Sequence, residues 1–408
     1  MMRRVWVLSW LLGAWLAGQG LMAGESQSPS PSQSPSQSPS QLRLTSPANR
    51  VVFQRDGRGQ AVIPVGGTGA APHAWVRVRL WPLGATTKLN SPPKPWRTLG
   101  RADATGNFRL PYRVAAGWYE LEIETRARRG PVSSARVNRV GVGEVFVVVG
   151  HSVAQGGDLN LPGATDDRVN TVALDEASAD FQQYLRTADP ELLPALEGRQ
   201  FGTGIVPAPF GHGTYFWAQF GDAVARQQQV PVMIFNAAFG GTSLEHWARS
   251  ARGEPFEHGF VRSALRMPYV NLAHALSRYG RITGVRAILA DQGQNDAGQT
   301  NAAVVFDNYC AWLQQARRDL GVPKLAVVVN RQTPYPERTA VRLAQERVIR
   351  EVADCFPGPD YDQLAVTDRY DRIHLSQAGL VRAAELWAGA LSGNFWAHAQ
   401  PMRPGRAP

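Results

Sequence analysis

Residues 144–152 read EVFVVVGHS, in which five consecutive apolar residues stand directly before a glycine, a histidine and a serine. Similar apolar runs recur downstream and alternate with stretches whose apolar residues follow helical spacing. The runs predict strands at 145–149, 232–236, 285–290 and 325–330. The helical stretches predict helices at 215–227, 260–279, 302–320, 339–353 and 377–391. Apolar strands that alternate with helices indicate a parallel sheet covered on both faces, so residues 143–395 are expected to form an α/β domain.

The region before this domain, residues 42–142, has the pattern of an all-β domain. Apolar and polar residues alternate from Trp75 to Leu80, and turn residues such as Asp56-Gly57 separate the short β-rich runs. The runs lie at 51–54, 61–65, 75–81, 107–113, 118–125 and 135–142. This number of strands in about 100 residues predicts a β-sandwich of immunoglobulin or fibronectin type III character. A true immunoglobulin domain is disfavoured because the Cys–Trp–Cys framework is absent.

The N-terminus has the pattern of an export signal. Arg3 and Arg4 precede an apolar run at 5–17, and small residues follow up to Gly24. We therefore expect a signal peptide at 1–24 and a periplasmic, extracellular or cell-surface protein, with an uncleaved anchor as the alternative. Residues 25–41 contain almost only serine, proline and glutamine, which predicts a disordered linker. No other segment is expected to span a membrane, and residues 396–408 are expected to form a flexible tail.

The charge of the chain does not indicate a nucleic-acid partner. The formal net charge is +10, but only three basic residues are lysines and the arginines are scattered without a run of five. The two cysteines, Cys310 and Cys355, are compatible with a disulfide in an exported protein or with two buried thiols. Neither a metal-ligand spacing nor a glycine-rich nucleotide loop occurs, so no metal and no cofactor are expected.

Several polar residues stand just after predicted strands, where parallel sheets carry their chemistry. Ser152 follows the first strand, and it is interpreted either as a nucleophile or as a helix N-cap. The pair Gly240-Gly241 follows the second strand and is either an amide N–H donor site or a plain turn. Asn295 follows the third strand and is either an oxyanion donor or part of an Asx turn.

A histidine and an aspartate close the series. Asp371 and His374 are three residues apart before the last predicted helix, so the carboxylate can orient the imidazole. A serine needs a base to act as a nucleophile, the base needs an orienting group, and the tetrahedral intermediate needs donors for its oxyanion. The chain supplies these groups once each and in this order, which indicates a serine hydrolase.

These stretches resemble the SGNH (GDSL-type) hydrolase superfamily, and more closely its sialate O-acetylesterase branch of carbohydrate esterases. The resemblance covers about residues 143–392. The matching stretches are Gly150-His151-Ser152, Phe210-Gly211, Phe216-Trp217, Asn236, Gly240-Gly241-Thr242-Ser243, Trp247, Gln292-Gly293-Gln294-Asn295-Asp296 and Asp371 to Leu375. The family implies a three-layer α/β/α, flavodoxin-like domain.

The resemblance also implies roles for individual residues. Ser152 is expected to be the nucleophile, His374 the general base and Asp371 its orienting carboxylate. The oxyanion hole is expected from the Ser152 and Gly241 backbone amides and the Asn295 side chain, with Gly240 as the fallback donor. Substrate contacts are expected from residues beside these motifs: Gln292, Trp247 and His151.

Two departures from the family pattern alter the expected pocket. His151 and Val153 stand where the branch has Gln and Asn around the serine, and Gln294 replaces the glutamate of the third motif. The leading hypothesis is an exported esterase that removes acetyl groups from sialate or another glycan. The alternatives are an esterase or thioesterase for longer acyl chains, and an inactive carbohydrate-binding protein.

Overall fold

A computed structural model describes residues 42–84, 92–128, 130, 132–334 and 339–405. The predicted signal peptide, the predicted linker at 25–41 and the last three residues lie outside this part of the chain. None of the helices in the described ranges is long and apolar enough to cross a membrane.

The N-terminal region consists of two sheets that share one apolar core. Its strands are β1 (Arg43–Ser46), β2 (Val51–Gln54), β3 (Gln60–Thr68), β4 (Trp75–Leu83), β5 (Arg97–Arg101), β6 (Phe108–Ala115), β7 (Gly117–Arg126) and β8 (Val132–Gly150). The first sheet has the order β1-β3-β6. The second has the order β5-β4-β7-β8-β2, in which β8 lies between β7 and β2. Alternate residues such as Val76 and Val78 of β4 point into the core, as the alternation predicted.

Strand β8 belongs to both regions of the chain. Its first half pairs with β7 and β2, and its second half pairs with β12 (Val232–Asn236) and β13 (Ala287–Asp291). The two strands predicted at 135–142 and 145–149 are therefore one continuous strand. Gly143 lies where a side chain would collide with the Pro231 carbonyl, which accepts the Glu144 N–H at 2.9 Å.

The second region is a mostly parallel sheet with helices. Its further strands are β9 (Val169–Leu174), β10 (Gly198–Gln200), β11 (Val206–Pro207), β14 (Ala326–Arg331) and β15 (Cys355–Asp360). The sheet order is β10-β9-β12-β8-β13-β14-β15, and β9, β12, β8, β13, β14 and β15 run parallel. The chain leaves central β8 toward one side and later returns to its other side. Such a change of direction opens a crevice at the carboxyl end of the central strand.

Helices cover both faces of this sheet. They are α1 (Ser152–Gln155), α2 (Ala179–Thr187), α3 (Trp217–Gln228), α4 (Leu244–Arg252), α5 (Tyr269–His274), α6 (Arg281–Thr283), α7 (Ala302–Leu320), α8 (Ala340–Glu351), α9 (Gln377–Ala390) and α10 (Gly393–His398). Val145 and Val147 pack with Trp247 of α4 and Trp312 of α7 in one core. Phe146 packs in the opposite core, which also contains residues of α3 and α9. The mixed α/β prediction is confirmed at this level.

Two predicted segments differ from the structure. The helix predicted at 260–279 begins only at Tyr269, because Pro268 has no N–H and disfavours helical backbone at the residue before it. The segment predicted as a flexible tail from residue 396 includes the end of α10. Beyond that helix, the Met402 backbone exchanges hydrogen bonds with Val285 at 2.9 and 3.0 Å. Cys310 and Cys355 are free thiols.

Asp167 joins the β-region to the sheet region. Its buried carboxylate accepts a hydrogen bond from Trp118 Nε1 at 2.9 Å and one from Arg139 Nε at 2.9 Å, and it also binds the Arg50 guanidinium. Burial has the largest single effect on its pKa and raises it. The hydrogen bonds from Trp118 and Arg50 outweigh that effect, so the pKa is lowered from its ordinary value.

We expect Asp167→Asn to reduce the free energy of unfolding by about 3 kcal/mol, because it leaves two arginines without their buried partner. The matched control is Glu351→Gln, which breaks only exposed, solvent-screened ion pairs and should change the stability far less. Folding lowers the Asp167 pKa. The ionised carboxylate therefore stabilises the folded state fully above its unfolded-state pKa, and this stabilisation is lost as the pH falls through its folded-state pKa. Urea unfolding at neutral and acid pH measures both effects, and a difference that widens in acid would contradict this account.

Candidate active site

Ser152 lies at the carboxyl end of β8, at the first position of helix α1. The strand ends at Gly150, which has a φ of 151°, and a Cβ there would come within 2.0 Å of the Asp291 carbonyl oxygen. Only glycine allows the chain to turn this closely against the neighbouring strand. As the first residue of a helix, Ser152 has a backbone N–H without an acceptor inside that helix. The side chain is half-buried and points its hydroxyl toward the histidine loop.

The structure brings Ser152, His374 and Asp371 into one chain of hydrogen bonds. Ser152 Oγ is 2.8 Å from His374 Nε2, although the two residues are 222 positions apart in sequence. His374 Nδ1 is 2.7 Å from Asp371 Oδ2. If Nδ1 donates to the carboxylate, Nε2 is left as the acceptor for the serine proton.

The histidine loop is held in shape by the same aspartate. Asp371 Oδ1 accepts the backbone N–H groups of Ile373 at 3.0 Å and His374 at 2.7 Å. Arg372, which follows Asp371 in the chain, has a φ of 73°. The tight turn imposes this left-handed conformation on a non-glycine residue. Burial acts to raise the Asp371 pKa, but the hydrogen bonds from His374 and Ile373 together lower it. The carboxylate therefore remains ionised beside the imidazole.

The Gly-Gly turn after β12 lies against the serine. A Cβ at Gly240 would be 3.5 Å from Ser152 Cβ. The Gly240 N–H donates to Gln155 Oε1 at 2.7 Å, so the fallback donor named from the sequence is already occupied. The next residue, Gly241, has a φ of 72°, is exposed, and has a backbone N–H without a hydrogen-bond acceptor in the described structure. Gln155, which the sequence reasoning did not single out, thus selects Gly241 as the free donor.

Asn295 and Asp296 follow the neighbouring strand β13 and form hydrogen bonds with the segment just after the Gly-Gly turn. Asn295 Nδ2 donates to the Thr242 carbonyl at 2.8 Å, and since an amide nitrogen carries two protons, one remains free. The buried Asp296 carboxylate accepts the Leu244 N–H at 2.9 and 3.2 Å at the start of α4. Burial raises the Asp296 pKa to about 7 against the opposing effect of that hydrogen bond. The loops that carry Gly241 and Asn295 are therefore fixed to each other.

The three residues expected to contact substrate are all buried. Trp247 is fully buried, donates from Nε1 to Thr242 Oγ1 at 3.0 Å and packs against Trp312. Gln292 is 1% exposed, and its backbone carbonyl accepts hydrogen bonds from the side-chain amides of Gln332 and Gln345. His151 is 1% exposed and bonds through Nε2 to Gln294. The expectation of direct contact therefore differs from the structure, since α4 turns its tryptophan inward and the two strand-end residues serve as internal supports.

His151 is a neutral residue behind the serine. Its complete burial lowers its pKa to about 4, against the raising effect of the hydrogen bond to Gln294. Its Nδ1 and the Nε2 of Gln294 have no hydrogen-bond partner in the described structure. His151 and Gln294, two of the three residues that depart from the family pattern, thus form a pair with each other behind the serine.

A cavity of about 570 Å³ adjoins the histidine loop on the side of β14 and β15. It is lined by residues of that loop, including Arg369, Arg372 and Ile373, and by the buried Gln294. Among the described residues, no cluster of histidine, cysteine or acidic side chains has the arrangement of a metal site.

The carbohydrate esterase family named for its sialic acid-specific acetylesterases matches residues 143–392 of the chain. A search of curated proteins returns no significant match. Among solved structures, the chain is similar to a carbohydrate acetylesterase from Xanthomonas citri at 19% identity, with a TM-score of 0.49, and the alignment covers 84% of this chain and 73% of the other.

Two further solved structures are similar. An Arabidopsis thaliana protein aligns at 16% identity with a TM-score of 0.43, over 63% of this chain and 98% of the other. A family two carbohydrate esterase from Cellvibrio japonicus aligns at 11% identity with a TM-score of 0.32, over 88% of this chain and 97% of the other. The family match spans well over half of the chain and includes Ser152, Gly241, Asn295, Asp371 and His374.

Proposed function

The chain belongs to the sialic acid-specific acetylesterase family of carbohydrate esterases, and on this premise we propose that it is a serine esterase that removes acetyl groups from carbohydrates. The observation that carries the proposal is the hydrogen-bond chain from Ser152 through His374 to Asp371. A serine, an imidazole and a carboxylate in this order form a unit for acyl transfer.

Acylation begins when Ser152 Oγ attacks the acetyl carbonyl carbon and its proton passes to His374 Nε2. The carbonyl π electrons move onto oxygen, and Asp371 stabilises the imidazolium that forms. When the tetrahedral intermediate collapses, the C–O bond to the sugar breaks and the imidazolium protonates the leaving sugar oxygen. Water then attacks the acetyl-enzyme with His374 as base, and acetate leaves as Ser152 recovers its proton.

The oxyanion of each tetrahedral intermediate receives three donors in this proposal. They are the backbone N–H groups of Ser152 and Gly241 and the free amide proton of Asn295. Among the described residues the Gly241 N–H has no acceptor, which supports its role, and the bond from Gly240 to Gln155 supports the choice of Gly241 over Gly240. Donors fixed before reaction stabilise developing charge without reorganisation.

The sheet order and the two helical layers support assignment of residues 143–395 to the three-layer SGNH hydrolase architecture. The two sheets around one core support an immunoglobulin-like or fibronectin-like sandwich at 42–142. The sequence of residues 1–24 supports export. An exported enzyme would meet glycans outside the cytoplasm, in agreement with the proposed substrate class.

The test of this function is a comparison of acyl chain lengths followed by glycan substrates. We expect hydrolysis of p-nitrophenyl acetate to exceed that of the butyrate and octanoate esters. Acetate release from O-acetylated sialic acid and from acetylated neutral sugars would then identify the glycan. A preference for octanoate would contradict the acetylesterase proposal and favour an esterase for longer acyl chains. Binding of acetylated glycan without release of acetate would favour an inactive binding protein.

We expect Asp296→Ala to lower kcat by about 10-fold or more while changing KM little, because it loosens the start of α4 beside Gly241. Its effect should fall mainly on kcat because the oxyanion contacts strengthen in the transition state. Asp296→Asn keeps one acceptor oxygen for the Leu244 N–H and should retain most of the activity. Steady-state kinetics on p-nitrophenyl acetate measure the difference. Equal losses in the two variants would contradict a positioning role for that hydrogen bond.

A further inference from the structure

A large aromatic side chain lies exposed beside the proposed oxyanion hole. Phe260 is 63% exposed, in the segment between α4 and α5. A Cβ at Gly241 would come within 2.5 Å of Phe260 Cζ, so the ring lies directly against the backbone that carries the free N–H donor. Single exposed apolar side chains are common on protein surfaces, so the position of this ring against the Gly241 turn, and not its exposure alone, points to ligand contact.

The orientation of the Phe260 ring is fixed by two other rings. His258 lies 4.5 Å from it and Phe239 lies 6.2 Å from it, each at an interplanar angle of 89°. His258 accepts the backbone N–H groups of Phe260 at 3.4 Å and Val261 at 3.3 Å through Nδ1. Its Nε2 is 3.2 Å from the Gly241 carbonyl oxygen and donates to it in the tautomer that leaves Nδ1 unprotonated.

The segment that carries Phe260 is therefore bonded to the Gly241 turn, and the next residue, Val261, anchors it in the core while Phe260 itself stays outside. Phe256 belongs to the same arrangement, because its ring stacks on His246 at 4.8 Å, and His246 in turn contacts His258 at 4.9 Å. These contacts hold the segment while most of the Phe260 ring remains open to solvent. A ring that is fixed before binding loses little conformational freedom when it accepts a ligand.

We propose that Phe260 is the platform on which the pyranose ring bearing the scissile acetyl group stacks. This inference rests on the proposed function and adds a residue that determines the substrate class. The faces of a pyranose expose C–H groups, and they pack on an aromatic ring with apolar and electrostatic complementarity. The ring contacts the Gly241 turn, so in this proposal a sugar stacked on it presents its ester carbonyl to the oxyanion donors.

The experiment compares an acetylated methyl pyranoside with ethyl acetate, which has the same acetyl group without a ring. Phe260→Ala should raise KM for the pyranoside by about 10-fold, leave its kcat near the wild-type value and leave ethyl acetate hydrolysis unchanged. Phe260→Trp should retain the wild-type KM. Phe260→Leu keeps apolar contact with Gly241 but has no aromatic face, so it should behave like Phe260→Ala. The matched control is Trp75→Leu, which removes an exposed aromatic residue from β4 in the other region.

Each other outcome overturns the proposal in a recognisable way. Equal losses of kcat on both substrates in Phe260→Ala would mean that the ring only supports the Gly241 turn. A wild-type KM in Phe260→Leu would mean that no aromatic face is needed. A change in preference between acetate and butyrate esters would place the acyl chain on the ring. If the wild-type enzyme hydrolyses ethyl acetate but no acetylated pyranoside, the carbohydrate function itself fails, and Phe260 loses its proposed ligand with it.

Discussion

Ser152→Ala is expected to reduce ester hydrolysis by about 10⁴-fold or more, because no other group in the proposed mechanism can form the acetyl-enzyme. The fold should remain intact. The Ser152 hydroxyl has His374 as its hydrogen-bond partner, and its backbone contacts are kept in alanine. The measurement is the turnover of p-nitrophenyl acetate, together with thermal unfolding of both proteins.

A fluorophosphonate that labels activated serines provides a second readout. The wild-type protein should be labelled and Ser152→Ala should not. The matched control is Ser178→Ala, which removes a helix-capping serine of α2 away from the site and should cost about 1 kcal/mol of stability without loss of activity. Retention of more than about a tenth of the wild-type turnover in Ser152→Ala would show that the nucleophile is elsewhere.

The strands that line the site were predictable because each is a continuous apolar run. Three of the four predicted strands of the sheet region occur within about two residues of their predicted bounds, and the fourth, at 145–149, is the second half of the longer strand β8. Strand β15 was not predicted because it contains two prolines and a glycine in six residues. It forms at the edge of the sheet and pairs with β14 alone. Because no second strand lies beside it, the missing N–H groups of its prolines leave no other strand without hydrogen bonds.

Helix α4 was missed for a different reason. It has nine residues, and its start combines a local cap, the Ser243 N–H on His246 Nδ1, with a contact from elsewhere in the chain. The Leu244 N–H binds Asp296, which is 52 positions away, and no local pattern encodes that capping interaction. Asp296 stands beside Asn295, for which the sequence left an Asx turn open as the alternative, and an Asx turn involves only neighbouring residues.

The site residues were predictable as a set, but their supports were not. Residue type and position after strands indicated Ser152, Asn295 and His374. The hydrogen bond from the Gly240 N–H to Gln155 joins the four-residue helix α1 to the Gly-Gly turn, and neither segment is long enough to show a periodic pattern. The inward rotation of Trp247 depends on the register of a helix that was itself not predicted. The sequence therefore indicated the candidate residues, while the structure shows which neighbouring residues hold them in position.

Two other histidines, His151 and His246, stand near the serine and the Gly-Gly turn in sequence, but both have other hydrogen-bond partners. The buried His151 bonds to Gln294, and burial lowers its pKa to about 4, so it cannot give a titration near neutral pH. The Nδ1 of His246 accepts the Ser243 N–H at 3.0 Å at the start of α4, and burial, its largest influence, lowers its pKa. His374 alone among them has a ring nitrogen at hydrogen-bond distance from Ser152 Oγ.

His374→Ala is expected to reduce turnover by about 10⁴-fold or more and to abolish the acid limb of the pH–rate profile. The imidazole must be neutral to accept the Ser152 proton, so the wild-type rate should fall as acidification protonates it. Asp371 does not produce this limb, because its hydrogen bonds outweigh burial and hold its pKa below the ordinary value. Asp371→Asn should lose less activity than His374→Ala, since the base remains while its orientation and charge stabilisation are weakened.

Added imidazole gives the decisive measurement. The His374 side chain is 34% exposed, so its removal leaves a space that is open to solvent and can admit free imidazole. Imidazole should restore part of the activity of His374→Ala, and the restored rate should rise with the neutral fraction of the added base. It should restore none in Ser152→Ala, and His398→Ala, which removes an exposed histidine bonded to the Asn394 carbonyl, should match the wild type. If the acid limb persists in His374→Ala with no response to imidazole, the proton from Ser152 goes to a different group, and the acyl-transfer mechanism loses its base.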